Sequence, residues 1–275
     1  MEKNLKLRVI TGVVCGPLIF FSAIFWKYVF ALFIFLLLIL ALKEFFSLMD
    51  KMNIKSYRIY GYLFGSLIFI DMLFLSGEHF FLVFLVFIIS LSPMIFLRKS
   101  EYVFYETSGT FFGTLYFSIF ITVILLIIQD VDKIVLQSYS GGKIASLILL
   151  SVWTIDISAF FGGRKFGRHS FFHSISPNKT LEGAIMGFLG AVVISIIAKY
   201  IYINFLSFWG ALIMGILIGI FGQIGDLIES ALKRRAGVKD SSNIIPGHGG
   251  VLDRFDSFIF SCPICYIFLK YFLFI

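Results

Sequence analysis

Between Asp226 and Asp256 carboxylates, ammonium groups and guanidinium groups recur at spacings suited to a cation held beside phosphates. Asp226, Glu229, Ser230 and Lys233 follow one another at i, i+3, i+4 and i+7, which stacks two acids, a hydroxyl and an ammonium on one helix face. Asp253 and Asp256 repeat the i, i+3 spacing after Gly247, Gly249 and Gly250, residues that permit backbone conformations closed to others. Two acidic helix ends can thus face each other. Carboxylates that converge repel unless a cation lies between them, and oxygen-only ligands suit a hard ion such as Mg2+. Lys233, Arg234, Lys239 and Arg254 then become phosphate ligands. Acids for metal and bases for phosphate describe a site for a metal-bound nucleotide; a solvated helix end is the plainer alternative for Asp226.

A second constellation comes earlier. Trp153 and Asp156 precede the basic run Gly162–Arg168, which contains Lys165 and Arg168, and then Ser176-Pro177-Asn178-Lys179-Thr180-Leu181-Glu182-Gly183. Asp156 falls roughly 18 Å from the start of its span, too deep for easy solvation, so it must face protein, water or a cation. Lys179-Thr180 is not a P-loop, because the Gly-x4-Gly-Lys spacing is absent and no strand precedes it; a phosphate-binding loop of another kind is expected. His169, His173 and His248 lack the clustering of a zinc site, and His248, inside the glycine turn, is the histidine with a functional reading. Cys262-Pro263-Ile264-Cys265 resembles a redox pair but lies inside a hydrophobic span and reads as helix packing.

The elements that carry these residues are membrane helices. Of 275 residues 59% are hydrophobic and 14% charged, and the mean hydropathy is +0.98, far above a soluble domain. Apolar runs predict an all-α polytopic membrane protein with about nine spans, at 9–26, 28–48, 59–75, 80–97, 110–128, 144–163, 182–203, 208–228 and 254–273. With the N-terminus cytoplasmic, eighteen of the 23 lysines and arginines fall inside, leaving Lys27, Lys133, Lys143, Lys199 and Lys270 outside with the C-terminus. The segment after Arg8 reads as a retained first span rather than a cleaved leader. The net charge of +7 follows from this bias and from anionic lipids, so no nucleic acid partner is expected.

Residues 1–128 form an N-terminal scaffold of five helices and 129–275 a C-terminal catalytic region of four helices with two cytoplasmic motif loops. In the scaffold, Glu44 and Asp71 are expected to snorkel from helix ends to the interface, and Gly61 and Gly65 to allow close helix contact. Gly215, Gly219 and Gly222 form a smooth stripe that ends at Asp226.

Ser230 to Asp256 resembles the signature of the phosphatidate cytidylyltransferase family, also called CDP-diacylglycerol synthases: Ser-x-apolar-Lys-Arg, four residues, Lys-Asp, a short gap, then Pro-x-His-Gly-Gly-apolar-x-Asp-Arg-apolar-Asp. Ser176 to Gly183 is similar to the family's second landmark. The resemblance implies transfer of a cytidylyl group from CTP to phosphatidate at the cell (inner) membrane, with Mg2+ as cofactor and a second cation left open. It implies Asp226 and Asp253 as metal ligands with Asp256 and Ser230 beside them, and Lys233, Arg234 and Lys239 on the triphosphate. It also implies Lys165, Arg168 and Lys179 closing the site, with Asp156, Ser176 and Arg254 toward substrate and His248 in the catalytic turn. Partners are CTP, phosphatidate and the bilayer, and a homodimer stays open. A CTP-dependent lipid kinase of the dolichol kinase type is the first rival. An ion-coupled transporter is weaker, since no internal repeat is evident. A CDP-alcohol phosphotransferase would need an Asp-Gly-x2-Ala-Arg element that the sequence lacks.

Overall fold

The computed structural model describes residues 2–136, 139–172, 175–244 and 249–273, with side chains from Val14 onward. Among them run α1 (Glu2–Phe25), α2 (Lys27–Lys51), α3 (Arg58–Phe74), α4 (Phe80–Leu91), α5 (Met94–Leu97), α6 (Val103–Val135), α7 (Ser140–Phe166), α8 (Leu181–Ile201), α9 (Phe208–Arg235) and α10 (Leu252–Phe268). A π-helical turn, Leu269–Leu273, continues α10. No strand forms among the described residues; one antiparallel bridge joins Ser170 to Thr180.

Seven segments are long and apolar enough to cross a membrane: α2, α4 with α5, α6, α7, α8, α9, and α10 with its π turn. Large apolar side chains such as Leu32, Phe81, Phe104 and Trp209 stay exposed on these helices, which suits lipid rather than water as the neighbour. The protein is thus an all-helical, multi-pass membrane protein. The nine expected spans all coincide with helical stretches, but α3, at 17 residues, and the Val14–Phe25 part of α1 are shorter than the seven.

Several helices outrun their hydropathy. The fifth span, expected over 110–128, is the 33-residue α6, because its polar ends are satisfied inside the protein. Thr110 donates to the Glu106 carbonyl at 2.7 Å, and Gln129 donates to the Met72 carbonyl at 2.8 Å. α9 likewise runs to Arg235 rather than 228 and stops at Gly237, whose φ of +68° suits glycine. There Val238 N–H bonds the Lys233 carbonyl at 3.0 Å and Gly237 N–H bonds the Arg234 carbonyl at 3.1 Å, the paired bonds of a Schellman stop.

One apolar core joins α2, α3, α6, α7, α9 and α10, so helices from both sides of residue 128 share it. The glycine stripe of α9 works as expected. A Cβ on Gly215 would lie 2.7 Å from the Val192 Cα, and one on Gly225 2.6 Å from the Asp256 carbonyl oxygen. α8 and α10 therefore pack directly on the α9 backbone, at Gly215 and Gly225.

Glu44 and Asp71 correct the expectation of snorkelling, since they are 1% and 2% exposed. Asp71 accepts from the His79 backbone at 3.0 Å. Glu44 lies two turns before the end of α2, and turns inward because unpaired backbone donors from the segment before α10 meet it there. Gly215→Val should push α8 from α9 and cost about 1–3 kcal/mol, read as a lower midpoint of thermal unfolding in detergent with helicity kept.

Candidate active site

α7 supplies one wall of the site. Asp156, Phe160 and Arg164 recur at i, i+4 and i+8 and line a cavity of about 470 Å3 with Asn178, Lys179, Thr180, Gln223 and Asp226. The floor is the loop between α7 and α8. Phe171 N–H bonds the Lys179 carbonyl at 2.8 Å and Leu181 N–H the His169 carbonyl at 2.9 Å, so the loop doubles back on itself. Thr180 caps α8 by accepting from Gly183 N–H at 3.2 Å. Glu182 accepts from the backbone of Arg168 at 3.1 Å and of His169 at 3.2 Å. This capping carries Lys179 onto Asp226, with which it forms an ion pair.

A second network lies where α9 meets α10. The Lys233 ammonium, 12% exposed, sits 2.5 Å from both Glu229 Oε2 and Asp253 Oδ1. Asp253 Oδ2 accepts from Ser241 N–H at 3.0 Å, Ser241 Oγ at 2.9 Å and Gly250 N–H at 2.8 Å. Gly249, at φ +85°, makes the turn that aims Gly250 N–H at this carboxylate. Asp156 and Asp226 share the cavity, and Asp256 of α10 lies within electrostatic range of Asp226.

The expected residues therefore divide. Asp156, Lys179 and Asp226 line the polar cavity. Lys233 and Asp253 are bound to each other beside it, and Ser230 Oγ reaches Asp226 Oδ1 at 3.5 Å, the limit of a hydrogen bond. Arg254 lines a different, apolar cavity of about 840 Å3 with Trp153, Phe33 and Phe255. Arg234 donates to the Ile175 carbonyl at 3.2 Å, joining the loop after α9 to the loop after α7. Ser176 accepts from Lys179 N–H at 3.2 Å through its carbonyl. Lys165, Arg168 and Lys239 are exposed and stand outside the cavity wall. His248 lies outside the described residues.

The cytidylyltransferase family model matches the chain over residues 6–272. The chain belongs to this family. Phosphatidate cytidylyltransferases of Staphylococcus haemolyticus, Bacillus subtilis and Staphylococcus epidermidis are similar to it. The first is 48% identical over 121 residues, 44% of this chain and 46% of the relative. The second is 45% identical over 121 residues, 44% and 45%. The third is 43% identical over 129 residues, 47% and 50%. The chain thus spans about half the length of the relatives that it matches.

Family membership makes the residues missed by the sequence reading more useful. Arg164, Asn178, Thr180 and Gln223 line the cavity, and Arg164 rather than Lys165 shares the Asp156 face. Extending the α7 period past 163, where the hydropathy ends, would have found it.

The donors also bear on a metal. Among the described residues no three His, Cys, Asp or Glu side chains converge closely enough to hold an ion. Around Asp226 the chemistry nonetheless fits a hard cation: the nearest ionisable acids offer only oxygen, and a cationic group, the Lys179 ammonium, already occupies the carboxylate. Asp253 Oδ2 is fully engaged, while its Oδ1 holds only Lys233 and keeps one lone pair.

Lys233 is the cation on which Glu229 and Asp253 depend. Lys233→Met should leave two buried acids opposed and destabilise the protein by about 3–5 kcal/mol. Adding Glu229→Gln should recover part of that loss, measured as thermal midpoints of the single and double variants.

Proposed function

We propose that the protein transfers the cytidylyl group of CTP to phosphatidate, giving CDP-diacylglycerol and pyrophosphate, the activity that the names of its relatives describe. One observation carries this reading: a polar cavity holding Asp156 and Lys179 and an apolar one holding Trp153 and Arg254 are both lined by α7. Trp153 and Asp156 are one turn apart on the same helix face, so a water-soluble anion and a lipid chain can approach each other along it. The apolar cavity suits acyl chains entering sideways from the bilayer, with Arg254 as the cationic group nearest a lipid phosphate.

In this reaction a phosphate oxygen of the lipid forms a bond to the α-phosphorus of CTP as the bond to the β-phosphate oxygen breaks. The attacking oxygen is already anionic, so no strong base is required, and rate comes from alignment and charge neutralisation. Lys179 and Arg164, both lining the polar cavity, are placed to bind and orient a polyphosphate. Lys239 and Arg168, exposed and outside the cavity wall, add positive potential that draws CTP inward. Asp226, with Asp156 and Asp256 nearby, would hold Mg2+, and Asp253 would join through Oδ1. When bound, that ion would offset the negative charge of the phosphates. Lys233 keeps the α10 acids in register with α9.

The orientation that keeps eighteen basic residues inside puts both motif loops on the cytoplasmic face of the inner membrane, where CTP is found. A lipid kinase remains the chemical rival, because it would use the same polar cavity and differ only in which phosphorus is attacked.

Purified protein in mixed micelles, given labelled CTP and phosphatidate, is expected to release pyrophosphate and label the lipid. Release of CDP instead would assign it to the kinases. EDTA should stop turnover and added Mg2+ restore it. Asp226→Asn should lower kcat on the order of 100-fold or more, whereas Lys239→Ala should raise the KM for CTP and leave kcat close to the parent value.

A further inference from the structure

We infer that Glu44, in α2, is a positioning residue: it sets the place of the segment that leads into α10 and, through Ser241, the place of the Asp253 carboxylate. The inference rests on the proposed reaction for its kinetic consequence and on the geometry alone for its structural one.

All four bonds to Glu44 come from residues 241–252, about two hundred positions away. Oε1 accepts from Ser242 Oγ at 2.6 Å and Val251 N–H at 2.8 Å. Oε2 accepts from Ser241 Oγ at 2.8 Å and Leu252 N–H at 2.8 Å. The carboxylate is buried, and two donors on each oxygen replace the water that burial removes. Saturation by neutral donors leaves no place for an ion, so this acid serves the backbone.

The two backbone donors are those that a helix start leaves without internal partners. α10 has no side-chain cap of its own; Glu44 provides one from another helix, and its charge suits the positive end of the α10 dipole. The approach is tight. A Cβ on Gly250 would lie 1.8 Å from Ser241 Oγ and 2.7 Å from Glu44 Oε2, so Ser241 first and Glu44 second require glycine at this position.

Ser241 carries the effect onward. Its Oγ stands 2.8 Å from Glu44 Oε2 and 2.9 Å from Asp253 Oδ2, and its single proton is shared between the two acids. Asp253 in turn meets Lys233, and Lys233 meets Glu229. A continuous polar chain thus runs from α2 through the loop to α10 and α9, and its first member comes from the half of the molecule that carries none of the expected site residues.

Glu44→Gln keeps the shape but turns an amide N–H2 toward two donors. We expect kcat for CTP and phosphatidate to fall at least tenfold, with the KM for CTP within threefold of the parent, the pattern of a lost alignment rather than a lost binding contact. Hydrogen exchange should quicken across residues 240–253 while α6, α7 and α8 keep their protection. Ser241→Ala, which removes one buried hydroxyl and no charge, should lower kcat by a smaller factor with the same KM and local exchange pattern. Parent-like kcat and exchange in Glu44→Gln would overturn the inference, as would loss of protection spread over all the helices, the outcome for a residue that only supports the fold. If the parent protein fails to turn over the two substrates, the proposed function falls, and the exchange experiment still decides the role of Glu44.

Discussion

A charged side chain between membrane helices must find its partners inside the protein, because lipid offers none. The site depends on that constraint. Lys233 lies between Glu229 and Asp253, Lys179 on Asp226, and Glu44 among four donors. The Lys233–Asp253 pairing ties α9 to α10, Lys179 ties the loop before α8 to α9, and Glu44 ties α2 to the start of α10. Gly225, outside the glycine stripe of α9, makes one of these short links feasible, since α10 approaches the backbone there and brings Asp253 within reach of Lys233. Packing and electrostatics therefore specify the same arrangement.

Much of this was legible in the residues. The i, i+3, i+4, i+7 pattern from Asp226 to Lys233 predicted one helix face, and Glu229 and Lys233 do meet on it. Gly215 and Gly219 predicted close packing, and α8 lies against them. Hydropathy located the helices but misplaced their ends, because it treats Glu106, Gln129 or Arg164 as a break whereas a paired or cavity-facing polar residue continues the helix. Glu44 was missed for the same reason. Its partners are two hundred residues distant, and two of them are backbone amides, which leave no trace in side-chain composition. What sequence could not supply was the partner chosen by each charge: Lys233 and Asp253 were both read as facing substrate or metal, and the structure joins them to each other.

The two motif loops are also tied to each other. Arg234 bonds the Ile175 carbonyl and the Val238 carbonyl, so one guanidinium bridges the end of α9 and the loop that presents Lys179. The basic residue thus has an architectural use within a segment that would otherwise be read only as an anion site, and the floor and rim of the polar cavity are joined through it.

The length of α6 has a consequence of its own. Thirty-three residues extend about 50 Å, against a hydrocarbon layer of about 30 Å, so this helix must lean or carry its ends through both headgroup regions. It packs against α10, which bears Asp253 and Asp256. Bilayer thickness, and with it the lipid composition of the host membrane, therefore bears through α6 on the helix whose first turns carry these acids.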